Sequence, residues 1–339
     1  MASAPSASLG THLEVDPSVL VDLDVDSYDS SSAFVSSTQS LSSSVDQYFF
    51  ENGRRYHSYY GTEKNHMPTD EKEQDRLDMH HEIMLQMLEG KLHLAPIGDS
   101  PQRILDIGTG TGIWAVDCAD TYPSAEVIGT DLSPIQPSWV PPNLKFEVDD
   151  MTQEWSYKPD SFDFIHARNL SQCIDHWDEL LSQIYLCTKP GGWAEVAELE
   201  AKIHTDDNTM APKFEKWMNS VAEACARINR PTWTAAMARE LLEKAGFVDV
   251  HVETRKQPFG PWPKDERMKK IGAMVMFTAD AGAEGYGLAL FTRVLNMSAE
   301  ESMTICKGAS ADIKNKNYHV WSPFHVAYGR KPTNTADKV

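Results

Sequence analysis

Residues Arg103 to Gly112 read RILDIGTGTG, a short apolar run, an aspartate, then three glycines at alternate positions. Ile104, Leu105 and Ile107 suit a strand buried on both faces of a parallel sheet. Gly108, Gly110 and Gly112 let the backbone turn sharply and pass close to a ligand with no Cβ in the way. The apolar spacing from Ile113 to Tyr122 predicts a helix packed back on the sheet. Strand, tight turn and helix start together place a nucleotide-like ligand over the helix N-terminus, where backbone N–H groups lack intrahelical partners.

Spacing narrows the choice of ligand. A dinucleotide fingerprint needs Gly-x-Gly-x-x-Gly, but Ile113 stands where its third glycine belongs, and a Walker loop would need the Gly-Lys-Ser/Thr that is missing here. Val127 to Asp131 predicts a second strand ending in a carboxylate 19 residues after Gly112, near the spacing at which nucleotide-binding folds grip ribose hydroxyls. Leu144 to Val148 predicts a third strand leading into Asp149, Asp150 and Met151. With Asp106 and Asp131, these carboxylates make one sheet edge strongly acidic. Such an edge repels a pyrophosphate and suits a ligand with a sulfonium, an ammonium, ribose hydroxyls and an adenine amino group, which favours S-adenosylmethionine (SAM) over NAD or ATP.

The rest of the chain fits a doubly wound α/β sheet. Ser133 to Asn143 carries four prolines, so a loop replaces the usual crossover helix. Phe162 to Ala167 predicts a fourth strand with Arg168 and Asn169 at its carboxyl end, where open α/β sheets put their sites. A helix over Trp177 to Cys187, a turn at Lys189 to Gly192 and a fifth strand over Trp193 to Leu199 follow. Two more helices, about Ala211 to Ile228 and Ala235 to Ala245, lead to a strand from Phe247 to Thr254. A largely helical insertion over 258–316 precedes a last strand near Tyr318 to Tyr328 and is read as a lid.

Upstream, Ser/Asp-rich residues 1–44 read as a disordered tail, and 45–100 as a cover for the sheet. Within it, the aromatic and basic run from Tyr48 to Tyr60 packs on the core or covers a ligand. Pro68, Asp70 and Glu73 form a helix start, followed by the stripe Leu77, His81, Met84, Leu85 and Leu88. His80 and His81 point about 100° apart on such a helix and make no paired metal site. The formal charge of −19 argues against nucleic acid, which needs clustered Lys and Arg. Five scattered cysteines indicate neither a disulfide framework nor zinc, and suggest reduced thiols in the cytoplasm or nucleus. No apolar run approaches the roughly 20 residues of a membrane span.

The succession ILDIGTGTGIWAVDCAD, GTDLSPIQPSWVPPN, FEVDDMTQEW, FDFIHAR and KPGGWAEVAE closely resembles the fungal LaeA-like methyltransferases, a branch of the class I SAM-dependent group. FENGRRYHSYYG, DEKEQDRLDMHHE, PFGPWPKDERMKKIG and YGRKP extend the match over roughly Tyr48 to Pro332. The resemblance implies a seven-stranded Rossmann-like sheet with an antiparallel last strand. It implies that Asp106, Gly108 and Gly110 surround the methionine moiety of SAM and that Asp131 holds ribose. By the same resemblance Asp150 and Met151 hold adenine, with Asp149 a neighbour, Arg168 or Asn169 lines the methionine end, and Tyr56 belongs to the cover over the cofactor. The LaeA regulators' own pattern lacks Asp-Asp-Met after the third strand. Its presence here places the chain among the broader LaeA-like enzymes. Two functions follow as expectations: methylation of a small molecule of fungal secondary metabolism, or nuclear regulation through a protein partner. Methyl transfer is an in-line displacement that alignment alone accelerates, so no residue announces itself as catalytic, and His166, His176 and Glu195 read as structural. Trp262, Met268, Met274, Met276 and Phe277 of the insertion either line an acceptor pocket or bury the lid's own core.

Overall fold

A computed structural model describes residues 47–58, 61, 62 and 65–333; the tail read over 1–44 lies outside them. In chain order the elements are β1 (Tyr48–Glu51), β2 (Arg54–His57), α1 (Glu71–Met87), β3 (Arg103–Ile107), α2 (Ile113–Thr121), β4 (Glu126–Asp131) and β5 (Leu144–Val148). Then come β6 (Phe162–Arg168), α3 (Trp177–Cys187), β7 (Thr188–Leu199), β8 (His204–Thr205), α4 (Pro212–Arg227), α5 (Ala235–Ala245) and β9 (Val248–Phe259). The last are α6 (Glu266–Phe277), α7 (Ala279–Ala289), a π-helical turn at Leu290–Val294, α8 (Ala299–Ile313) and β10 (Val320–Arg330).

The main sheet runs β5-β4-β3-β6-β7-β10, with β9 and the two-residue β8 also paired to β10. Strands β3 to β7 pair in parallel, and β10 is antiparallel to both β7 and β9. This is the Rossmann-like seven-stranded sheet with one short strand added. The order reverses at β3, so the carboxyl ends of β3, β4 and β6 flank the crevice where doubly wound sheets bind ligands. Buried Ile104, Leu105, Val127, Ile128, Phe164 and Ile165 form the sheet core, as the near-continuous apolar runs require.

Local chemistry sets the flanking helices. The Asp70 side chain accepts from the Glu73 N–H to open α1, and Thr234 accepts from the Met237 N–H to open α5. Gly246, at φ +105°, closes α5. Lys189 to Gly192 is not a separate turn. It lies inside β7, where the Gly191 N–H donates to the Lys331 carbonyl and the Lys331 N–H donates to the Gly192 carbonyl. The segment therefore edges the sheet against the chain's end, with an irregular register beside β6. The cover holds more than a helix, since β1 and β2 form an antiparallel hairpin ahead of α1. All five cysteines are free. Among the described residues no helix is long and apolar enough to cross a membrane.

Candidate functional site

The loop after β3 is held by two carboxylates. Asp106 accepts from the Thr109 hydroxyl at 2.6 Å and pairs with His166 Nδ1 at 2.7 Å, and the His166 ring stacks on Trp114 with centroids 3.9 Å apart. Burial keeps His166 below its ordinary pKa against the pull of Asp106, so the ring is neutral and donates from Nδ1. Asp131 accepts from the Gly110 N–H at 2.8 Å through one oxygen and from the Ser133 N–H at 2.9 Å through the other. Gln136 donates to the Gly110 carbonyl at 2.6 Å. The Gly110 peptide is thus clamped from both sides. Burial raises the Asp131 carboxyl to about 6, although the backbone donors pull it down.

The glycines divide their work. A Cβ at Gly108, φ +62°, would lie 2.3 Å from Leu170, whereas one at Gly110, φ +60°, would meet only Leu77, at 3.5 Å. Gly108 permits packing of the β6 side on the loop, and Gly110 keeps the loop's open face clear. After β5, Asp149 accepts from the Asp150 N–H, and Asp150 accepts from the Thr152 N–H and hydroxyl. Burial raises the Asp149 carboxyl.

At the end of β6, Arg168 donates to His81 Nδ1 at 3.0 Å, and His81 Nε2 meets Asp117 of α2 at 2.9 Å. Burial and the Arg168 charge hold His81 below its ordinary pKa, so the imidazole is a neutral strut between the two. Asn169 follows with φ +59°, a left-handed conformation that asparagine tolerates better than most residues.

Asp106, Gly108, Gly110, Asp131, Asp149, Asp150, Met151, Arg168 and Asn169 all line one cavity of about 180 Å³. Tyr56 does not line it. Its fully buried ring stacks on Phe49 across the hairpin and lies under the Arg293 guanidinium, 4.5 Å from the ring centroid. Sequence reasoning also missed lining residues of α1, namely Arg76, Leu77 and His80, and Tyr286 of α7. Arg76 and Glu73 make a buried ion pair at 2.7 Å, with Arg76 also 4.5 Å from the Tyr286 ring centroid.

A second cavity, of about 140 Å³, lies between α4, α6, α7 and the sheet. Arg76, His80, Asn169 and Tyr286 line both cavities. The second is mostly apolar, walled by Phe214, Trp217, Val221, Phe259, Val275 and Ala283. None of Trp262, Met268, Met274, Met276 and Phe277 lines it, and Phe277 is 78% exposed. The insertion contributes Phe259, Val275 and Tyr286 instead, with the small residues Ala279, Gly282 and Ala283 where α7 passes against α4. His80 is held neutral by burial and by nearby Arg76 and Arg168; its side chain bonds Asn169, and Nε2 has no partner among the described residues.

The first cavity fits SAM on its own chemistry. Carboxylates crowd the ends of β3, β4 and β5 where ribose hydroxyls and cationic groups need acceptors. Arg168, which has no carboxylate partner among the described residues, lines the same cavity as a cation.

Residues 79–252 match a family described as a methyltransferase domain. The chain is 38% identical over 315 residues to "Methyltransferase pytC" of Aspergillus terreus, covering 92% of this chain and 95% of that protein. It is 37% identical over 292 residues to "Secondary metabolism regulator LAE1" of Cochliobolus heterostrophus, covering 84% of this chain and 95% of that one. It is 32% identical over 299 residues to "Protein-methionine methyltransferase laeA" of Emericella nidulans, covering 86% and 79%. With the glycine loop, the acidic edge and the antiparallel last strand in place, the chain belongs to the LaeA-like branch of the class I SAM-dependent methyltransferases.

Proposed function

We propose that this methyltransferase acts on a small, largely apolar molecule held in the second cavity. The observation that carries the reading is the junction: a cavity edged by Asp106, Asp131, Asp149 and Asp150 and a second, mostly apolar one share Arg76, His80, Asn169 and Tyr286. An acceptor bound among Phe214, Trp217 and Val221 would present its nucleophile at that junction.

Roles for the chain's residues follow. Asp131 holds ribose hydroxyls through the oxygen lone pairs left after its two backbone bonds, and Asp150 and Met151 hold the adenine end. Arg168, braced by His81 and Asp117, pairs with the amino-acid carboxylate. When bound, SAM supplies a methyl group on a positively charged sulfur. The cover and α7 exclude water and hold the acceptor in line. His80 Nε2, neutral and unpartnered at the junction, takes the proton of a protic acceptor. The proposed lid over 258–316 thus contributes the Ala279 to Tyr286 face of α7, and the cover over 45–100 contributes α1.

A second reading, regulation through a protein acceptor in the nucleus, draws on the names of the LAE1 and laeA relatives. Incubation of the purified protein with methyl-labelled SAM and, separately, a fungal metabolite extract and a nuclear protein extract distinguishes the two. Label in organic-soluble product supports the small-molecule reading, and label only in protein overturns it.

A further inference from the structure

Two buried-site arginines stand apart from the rest. Every other arginine among the described residues is ion-paired to a carboxylate. Arg168 and Arg230 are not, and each lines a cavity, Arg168 the first and Arg230 the second. A cation taken partly out of water without a counter-charge is costly, and a site that keeps one is built for an anionic ligand. For Arg168 that anion is the amino-acid carboxylate already discussed. Arg230 has no such explanation.

The surroundings of Arg230 fix it in place without neutralising it. One terminal nitrogen, Nη1, donates to the Gln172 carbonyl at 2.8 Å and meets His66 Nδ1 at 3.1 Å. His66 is buried and pushed down to about 4 by burial and by the Arg230 and Arg293 charges, so it is a neutral acceptor. The Arg230 Nε is buried with no partner, and the remaining N–H groups have none among the described residues. Glu198, the carboxylate of the same cavity, is turned to the Leu170 and Ser171 N–H groups at 2.6 and 3.2 Å. The same cavity is lined by Gln257, 3% exposed, whose side-chain oxygen also lacks a partner.

We propose that the acceptor is an apolar carboxylic acid whose carboxylate pairs with Arg230 while a hydrogen-bond donor elsewhere on its skeleton meets Gln257. This rests on the reading of the second cavity as the acceptor site. A phosphate would bring a second charge beside Glu198 with one guanidinium to meet it, among apolar walls; a carboxylate matches the single planar fork. Arg230 anchors the acceptor and takes no part in the bond changes at the junction.

Calorimetry on the full-length protein saturated with S-adenosylhomocysteine tests this with a matched pair of probes, indoleacetate and indoleacetamide, which differ in charge and little in shape. Wild type binds the acid about tenfold more tightly than the amide, the scale of one charge-assisted hydrogen-bonded pair. Arg230→Gln erases that preference and Arg230→Lys keeps part of it, with S-adenosylhomocysteine affinity within about twofold of wild type in both. Ala283→Leu, which fills the second cavity, removes both probes and leaves S-adenosylhomocysteine bound. Equal affinity for acid and amide in wild type, or a preference that survives Arg230→Gln, overturns the carboxylate assignment while leaving the acceptor cavity standing. Failure of both probes to bind a protein that holds S-adenosylhomocysteine, or binding that persists in Ala283→Leu, overturns the cavity reading as well.

Discussion

Asp131 is tied into the fold and is proposed to hold ribose, and its pH dependence separates the two roles. Its folded carboxyl, near 6, lies above the ordinary 3.8, so the folded chain binds a proton more tightly than the unfolded chain does. Through this group the free protein loses stability as pH rises from about 4 to 6. Binding runs the other way, because the ionised carboxylate is the better acceptor for ribose hydroxyls. S-adenosylhomocysteine affinity is therefore expected to rise between pH 5 and 7, and Asp131→Asn flattens that rise. Asp131→Ala costs about 1 to 3 kcal/mol of binding, since the Gly110 clamp is lost along with the acceptor. Unchanged affinity in a calorimetric titration of Asp131→Ala would remove Asp131 from the site. Glu195 gives a pure stability case. Its Oε2 accepts from the Leu94 and Ala95 N–H groups at 2.8 and 2.7 Å, Oε1 has no partner, and burial raises the carboxyl to about 7. Stability from this group is present below about 4.5 and lost as pH rises through 7. Glu195→Gln keeps an acceptor for both N–H groups without the charge, so its melting temperature should exceed that of wild type at pH 8 but not at pH 5.

At the scale of elements, the sequence is legible wherever local chemistry alone decides. The glycine loop, the acidic strand ends and the proline-rich loop after β4 act within a few residues of themselves, and each was readable. The start of α1 was readable for the same reason. There Asp70 caps the Glu73 N–H and also holds Arg54 at 2.7 Å, with Arg54 itself buried. Asp70→Ala should cost about 2 to 4 kcal/mol in urea unfolding, the sum of a lost cap and a buried guanidinium left only with its longer ion pairs to Glu73 and Glu284. Asp70→Asn, which retains the cap, recovers part of that, and equal losses for the two would discount the cap. The hairpin ahead of α1 went unread despite its signal. Asn52 and Gly53, at φ +52° and +77°, are the pair that a two-residue hairpin turn favours. The family resemblance drew the reading of Tyr56 toward the cofactor, whereas cross-strand stacking on Phe49 and the Arg293 charge draw it away. Lys189 to Gly192 misled in the opposite sense, because a Pro-Gly-Gly run signals a turn unless a distant segment, here Lys331, pairs with it.

At the scale of the whole molecule, the second cavity depends on contacts between segments far apart in sequence, and no local pattern announces it. Arg76 and His80 of α1, Phe214 and Val221 of α4, Gln257 of β9 and Ala283 of α7 share it only because the insertion folds back over the sheet. Met268 and Met274 promised a pocket but pack against a core that the insertion shares with α1, α4 and the sheet, while Phe259, Val275, Ala279, Gly282 and Ala283 line the cavity. The junction between the cavities makes its own prediction. If His80 receives the acceptor's proton, His80→Phe preserves bulk at the junction and S-adenosylhomocysteine affinity but lowers turnover of a protic acceptor by about 100-fold. His80→Gln, which keeps a polar group without a base, should fare little better. An acceptor whose group is already ionised at the assay pH needs no base, so raising the pH should restore His80→Phe in step with the acceptor's own ionisation. Profiles of turnover against pH for wild type and His80→Phe decide this, and parallel profiles would reduce His80 to a packing residue between two ligands.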